Sequence, residues 1–215
     1  MSTPYEIGKA ITASARLISK VAIECEHLAK LIKEEISRFL LAADVSAHYR
    51  PAGEWDDIYN EDESEWTFTD FGTSLPIRVP PKRTTSCHLF FQISLAGVGV
   101  GAKNNDEPLI HIGLWINGID FDEIQMGFPM EIDADYMLHE RLFVWQGKQG
   151  VKEWCFSVRL TDINNPADVQ SHILEPLRIL LLEGEQGRAF DNTAVVKYSK
   201  VIGEHGQYEI VPRPV

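Results

Sequence analysis

Carboxylates carry the strongest chemical suggestion in this chain. Asp120, Asp122 and Glu123 form one group, and Glu131, Asp133 and Asp135 form a second. If residues 131–135 are extended, their three alternate carboxylates leave one face of the strand. Oxygens so placed suit a hard cation such as Mg2+. On that basis one alternative reading is a metal-dependent hydrolase using carboxylates across Asp120–Asp135, with His111 or His139 assisting. Neither group contains the lysine or histidine of a general acid or base, and solvated turns account for the same residues.

Other patterns fall short of the spacing their chemistry needs. His139-Glu140 opens like a zincin helix, but position 143 is Phe where a second imidazole is required. Gly97-Val98-Gly99-Val100-Gly101 resembles a phosphate loop only until Lys103-Asn104-Asn105-Asp106 and a further strand follow it, where a helix N-terminus is needed. A bulge, a bend or a close backbone approach explains those glycines. Glu-x-Lys and Gly-x-Ser-x-Gly do not occur. The three cysteines, Cys25, Cys87 and Cys155, form no CxxC pair, which gives no sign of a zinc ribbon or disulfide framework. No cofactor is implied.

Two surfaces remain. Opposite the apolar rows of the strands lie His88, Phe90, Gln92 and Ser94, then His111 and Trp115, then Cys155, Ser157 and Arg159. Alternate side chains share a sheet face, so these residues line up across neighbouring strands. They make either a ligand groove of His88, Phe90, Gln92, His111, Trp115 and Arg159 or a floor beneath a helix. The second surface is residues 51–77, which hold no Lys or Arg. There Glu54, Asp56, Asp57, Glu61, Asp62 and Glu63 alternate with Trp55 and Tyr59. This reads as an exposed acidic loop, partly anchored by its aromatics and suited to a basic partner.

The elements that must position these residues are partly legible. Thr3-Pro4-Tyr5-Glu6 matches a capping box with proline at the first helical position. Ile7, Ile11, Ile18, Val21, Cys25, Leu28, Ile32 and Phe39 then recur at helical steps, predicting an amphipathic helix to about Ala43. Ser14 and Glu35 interrupt its heptad-like stripe. Such a helix exceeds what one small sheet needs, so it breaks, lies across a large sheet of its own chain, or packs part of its length on a second copy as a homodimer. Leu89–Leu95 and Ile110–Ile116 predict one antiparallel hairpin, with Lys103–Pro108 as its turn. Leu142–Trp145 and Trp154–Leu160 predict another about Gly147 and Gly150. Asn165-Pro166 starts a helix that Gly184 stops and Pro176 divides. Strands near 194–201 and 208–211 close the chain.

The expected fold is α+β: a long N-terminal amphipathic helix and a C-terminal helix on a mainly antiparallel meander sheet. The expected organisation is one domain, with the N-terminal helix at 1–46, an acidic loop at 47–66, the sheet at 67–163, a helix at 164–184 and closing strands at 185–215. A net charge of −12 argues against direct nucleic-acid binding. No apolar stretch is long enough for a membrane, and the N-terminus lacks a signal-peptide pattern, so a cytoplasmic location is expected. The reading these features favour is a non-enzymatic interaction protein, inhibitor- or immunity-like in one form, with a basic protein partner and self-association through the helix. The metal-dependent hydrolase is its rival.

Overall fold

Thr3 opens the longest element as its type predicts. Its Oγ1 accepts the Glu6 N–H at 3.3 Å, and the Glu6 carboxylate accepts the Thr3 N–H at 2.6 Å. Helix α1 (Pro4–Leu40) follows for 37 residues. The computed structural model describes residues 3–62, 67–131, 135–146, 152–184 and 187–212. Glu63, Asp133, Gly147 and Gly150 therefore lie outside the described residues.

The architecture is α+β. Eight strands form one antiparallel sheet: β1 (Arg50–Pro51), β2 (Asp56–Glu61), β3 (Phe68–Arg78), β4 (Cys87–Ser94), β5 (Leu109–Trp115), β6 (Tyr136–His139), β7 (Leu142–Trp145) and β8 (Glu153–Arg159). Their order is β1-β3-β4-β5-β8-β7-β6, with β2 also on β3. Strands β9 (Tyr198–Lys200) and β10 (Tyr208–Ile210) make a separate antiparallel ribbon. The sheet is thus two meanders joined at β5–β8, not one running sequentially. Residues 116–131 leave β5 and cross one sheet face.

Three local expectations need correction. Residues 56–61 are not a loop. They form an edge strand paired with β3 from Asp56↔Ser74 to Glu61↔Phe68, and their exposed acids discourage a further strand from adding there. The β4–β5 connection is longer than the expected turn and carries a 3-10 turn at Val98–Val100. The C-terminal helical run, 166–183, starts on an Asn165 cap and stops at Gly184 with φ 69°. Pro176 does not interrupt that run; its winding instead widens to π at Gln170–Leu174 and Ile179–Glu183. A wider turn accommodates the proline's missing N–H.

Both sheet faces are covered. Leu89, Phe91 and Ile93 of β4, Ile110, Ile112 and Leu114 of β5 and Trp154, Phe156 and Val158 of β8 pack with Ile32, Ile36 and Leu40 of α1 and with Ile173 and Leu177 of the C-terminal run. On the opposite face, Phe90, Trp115, Phe143 and Cys155 pack with Met126, Phe128 and Met130 of the crossing segment and with Tyr198 and Tyr208 of the ribbon. Only the C-terminal half of α1 joins the core. Residues 4–20 are exposed throughout, an arm about 25 Å long at 1.5 Å per residue.

Candidate functional site

The register confirms the alignment of the polar side chains. Gly72 pairs with Gln92, Gln92 with His111 and His111 with Ser157, one row across β3, β4, β5 and β8. His88 pairs with Trp115 on the same face, one row beyond Phe90 and Gly113. The row is not an open groove: Phe90, Gln92, His111 and Ser157 have no exposed surface. The cover is the 3-10 turn, the crossing segment and the ribbon, rather than a helix.

Hydrogen bonding fits these side chains to that cover. His111 Nε2 lies 2.7 Å from Gly99 O and Nδ1 lies 2.8 Å from Ser157 Oγ. A carbonyl only accepts, so Nε2 carries the proton and Nδ1 accepts from the Ser157 hydroxyl. Burial depresses the imidazole to about 4, against the smaller upward pull of the Gly99 hydrogen bond. The pair has the atoms of a nucleophile and its base, but Nε2 faces a carbonyl, and no surface admits a substrate. Gln92 Nε2 lies 2.9 Å from Ser94 Oγ, 3.0 Å from Met126 O and 3.3 Å from Asp70 Oδ1, while its Oε1 accepts the Met126 N–H. An amide nitrogen has two protons for these three acceptors, so Asp70 receives the weakest bond. Burial raises the Asp70 carboxyl above its usual range, against hydrogen bonds from Ser94, Thr69 and Gln92 that lower it. Gly99 allows the close approach: a Cβ there would stand 2.6 Å from Ser94 Cβ and 2.8 Å from Gln92 Nε2. The glycine run therefore serves backbone approach and not phosphate binding.

The remaining sequence candidates separate. His88 Nδ1 donates to Ile116 O at 2.9 Å. Arg159 lies at the far end of the face, paired with Glu107 at 2.5 Å. The acidic edge is tied to the helix: Asp57 accepts Lys33 Nζ at 2.5 Å and Thr73 Oγ1 at 2.6 Å, and Trp55 Nε1 donates to Ser37 Oγ at 3.1 Å. Tyr59 packs on Phe71 at 5.1 Å. Glu54, Asp56 and Glu61 stay exposed.

Asp122, Glu123 and Glu131 line a cleft of about 470 Å³ with Trp115, Trp145 and Glu153. Asp120 instead stays in its turn, its Oδ1 accepting the Asp122 N–H at 3.0 Å. Asp135 and His139 are exposed at β6, and buried His111 does not line the cleft. Among the described residues, no group of three His, Cys, Asp or Glu side chains could hold a metal ion, and no helix is long and apolar enough to cross a membrane.

Sequence reasoning missed Asp70 and Ser74, whose strand has Gly72 and Pro76 in place of a β-branched run, and the meeting of Trp145 with Glu153, which only strand register brings about. No family model matches the sequence, and comparisons with curated proteins and with solved structures give no significant match.

Proposed function

We propose that the protein is a non-enzymatic interaction protein that associates with a second copy of itself through the projecting half of α1. The observation that carries this is the open apolar seam. Ile7, Ile11 and Ile18 are 52%, 65% and 49% exposed and, with Ser14 and Val21, follow alternating steps of four and three. That is the spacing of a coiled-coil seam. The flanking positions, Gly8, Ala10, Ala15, Leu17 and Ala22, are small or apolar. Lys9, Arg16 and Lys20 fall on the outer side of the wheel, so a symmetric partner meets no like charge at the seam. Where the arm leaves the body, Leu17, Val21, Leu28, Leu31, Leu160 and Ile163 line a groove that continues the seam. A lone helix of this length is marginal in water, and a second helix along it supplies the missing burial.

Charge supports a basic further partner. Glu6 against Lys9, Arg16 and Lys20 leaves the first twenty residues at +2, so the other residues together carry −14 of the net −12.

Light scattering tests the association. The wild-type chain is expected to show twice its monomer mass, and Ile11→Asp with Ile18→Asp is expected to give monomers whose urea midpoint stays close to that of the wild-type monomer, because both positions are exposed. A wild-type chain that is monomeric at high micromolar concentration would sink the reading.

A further inference from the structure

We infer that the cleft walled by Trp115 and Trp145 binds an alkylammonium group, supplied by a free polyamine or by a lysine side chain of another protein. This goes beyond the helix-mediated association, since none of the residues lining the cleft belongs to α1.

Its wall is built by the sheet. Trp145 pairs directly with Glu153 across β7 and β8, and Glu153 Oε1 accepts the Ile116 N–H at 2.8 Å, fixing that carboxylate at the end of β5. Trp115 packs on Phe90 with ring centroids 3.9 Å apart and planes tilted by 33°, and meets Trp145 at 6.0 Å and 87°. Two tryptophans at right angles form a corner, and Trp145 is the less buried of the pair. An indole face attracts a cation through its quadrupole, more strongly than the other aromatic rings do. The crossing segment supplies Asp122, Glu123 and Glu131 to the same cleft, and among the described residues no Lys, Arg or His lines it.

The hydrogen-bonding inventory has the same bias. Apart from Asn117, the polar side chains among the described lining residues are four carboxylates and Gln125. Gln125 Nε2 is spent on Phe121 O at 2.7 Å and its Oε1 is buried. A wall of acceptors and ring faces selects a ligand that is cationic, rich in N–H and partly apolar. A bare divalent cation uses the carboxylates but has no use for the indoles. An alkylammonium chain uses both, and the cleft has the volume of a small-molecule site.

The test is titration of the intact protein with spermidine and, separately, with a short lysine-bearing peptide, followed by tryptophan fluorescence and calorimetry. A neutral polyol and Mg2+ serve as comparison probes. Saturable binding of either amine is expected, weakened by salt and by about tenfold in Trp145→Leu and in Glu123→Gln with Glu131→Gln. Spermidine binding alone identifies a free polyamine, and peptide binding alone identifies a protein side chain. Both variants alter side chains that are not fully buried, and their urea midpoints report whether they fold. Absence of saturable binding by either amine at millimolar concentration overturns the inference. So does binding that Trp145→Leu leaves intact, or that Mg2+ reproduces equally well. Light scattering on the same samples reads the helix association independently.

Discussion

The two faces of the central sheet solve burial in opposite ways. The face toward α1 and the C-terminal run is apolar in every row of β4, β5 and β8, and helices cover it. The other face mixes Phe90, Trp115 and Phe143 with Gln92, Ser94, His111 and Ser157, and irregular segments cover it. Helices satisfy their own backbone, so they need only apolar side chains beneath them. Loops bring unpaired N–H and C=O groups into the interior, and the sheet must answer each one. Gln92 answers Met126, His111 answers Gly99 O, Ser74 accepts the Ile119 N–H at 2.7 Å and His88 answers Ile116 O. The polar side chains are there because the cover is irregular.

The comparison predicts different responses to substitution. Phe156 is fully buried under the helices and packs on Phe190 at 5.5 Å. Phe156→Ala is expected to cost about 3–5 kcal/mol through lost burial and a cavity, with little dependence on pH. Urea unfolding at pH 7 and pH 5 measures both. A cost that changes strongly between the two would break the distinction between the faces.

The loop-covered face is expected to carry the acid sensitivity. His111 takes up a second ring proton only below about 4 when folded, against an ordinary value of 6.5. Above pH 6.5 the ring is neutral in both states. Between 6.5 and 4 the unfolded chain takes up a proton that the folded chain refuses, so stability falls as pH falls, by about 3 kcal/mol across that window. His111→Asn should be less stable at pH 7 and should flatten the slope from 6.5 to 4. An unchanged slope would place the acid sensitivity elsewhere.

Gly99→Ala comes next in size. Its Cβ would press on Ser94 Cβ and Gln92 Nε2, and overpacking of this kind costs about 1–3 kcal/mol. Hydrogen exchange should localise the loss to residues 97–101 and 126–128, leaving the helix-covered strands protected. Loss of protection under α1 as well would show that the faces are not separable.

The same contrast explains what the sequence made legible. Period-two alternation marked Leu89, Phe91 and Ile93, and Trp154, Phe156 and Val158, because an apolar face under a helix needs no other information. It also placed Gln92, His111 and Ser157 on one face. It could not say what covers them, because Val98–Val100, Met126 and Tyr198 reach that face through contacts far apart in the chain. Strand β2 was hidden by its acids, which have low strand propensity and are held by pairing with β3 and by Lys33. The cleft is half visible: Asp122, Glu123 and Glu131 belong to the two acidic groups of the sequence, while the partners that change its chemistry, Trp145 and Glu153, come together only by register.

The smallest effect expected has the opposite sign. Asp70 is 1% exposed, its Oδ2 has no hydrogen bond partner within the geometric limits among the described residues, and burial raises its carboxyl. A folded pKa above the unfolded one means that the folded state binds the proton more tightly. Asp70 therefore favours the folded state at acid pH, and that contribution is lost as pH rises through its folded value. At pH 7 the charge is buried with only weak compensation. Asp70→Asn removes the charge and keeps the size, so it is expected to stabilise the protein by about 1 kcal/mol at pH 7. Near pH 4, where the unfolded carboxyl also protonates, most of that gain should vanish. Urea midpoints of both proteins at the two pH values decide it. An Asn variant destabilised to the same extent at both would mean that Asp70 is held by its hydrogen bonds and not strained by its charge, making the loop-covered face as well satisfied as the one beneath the helices.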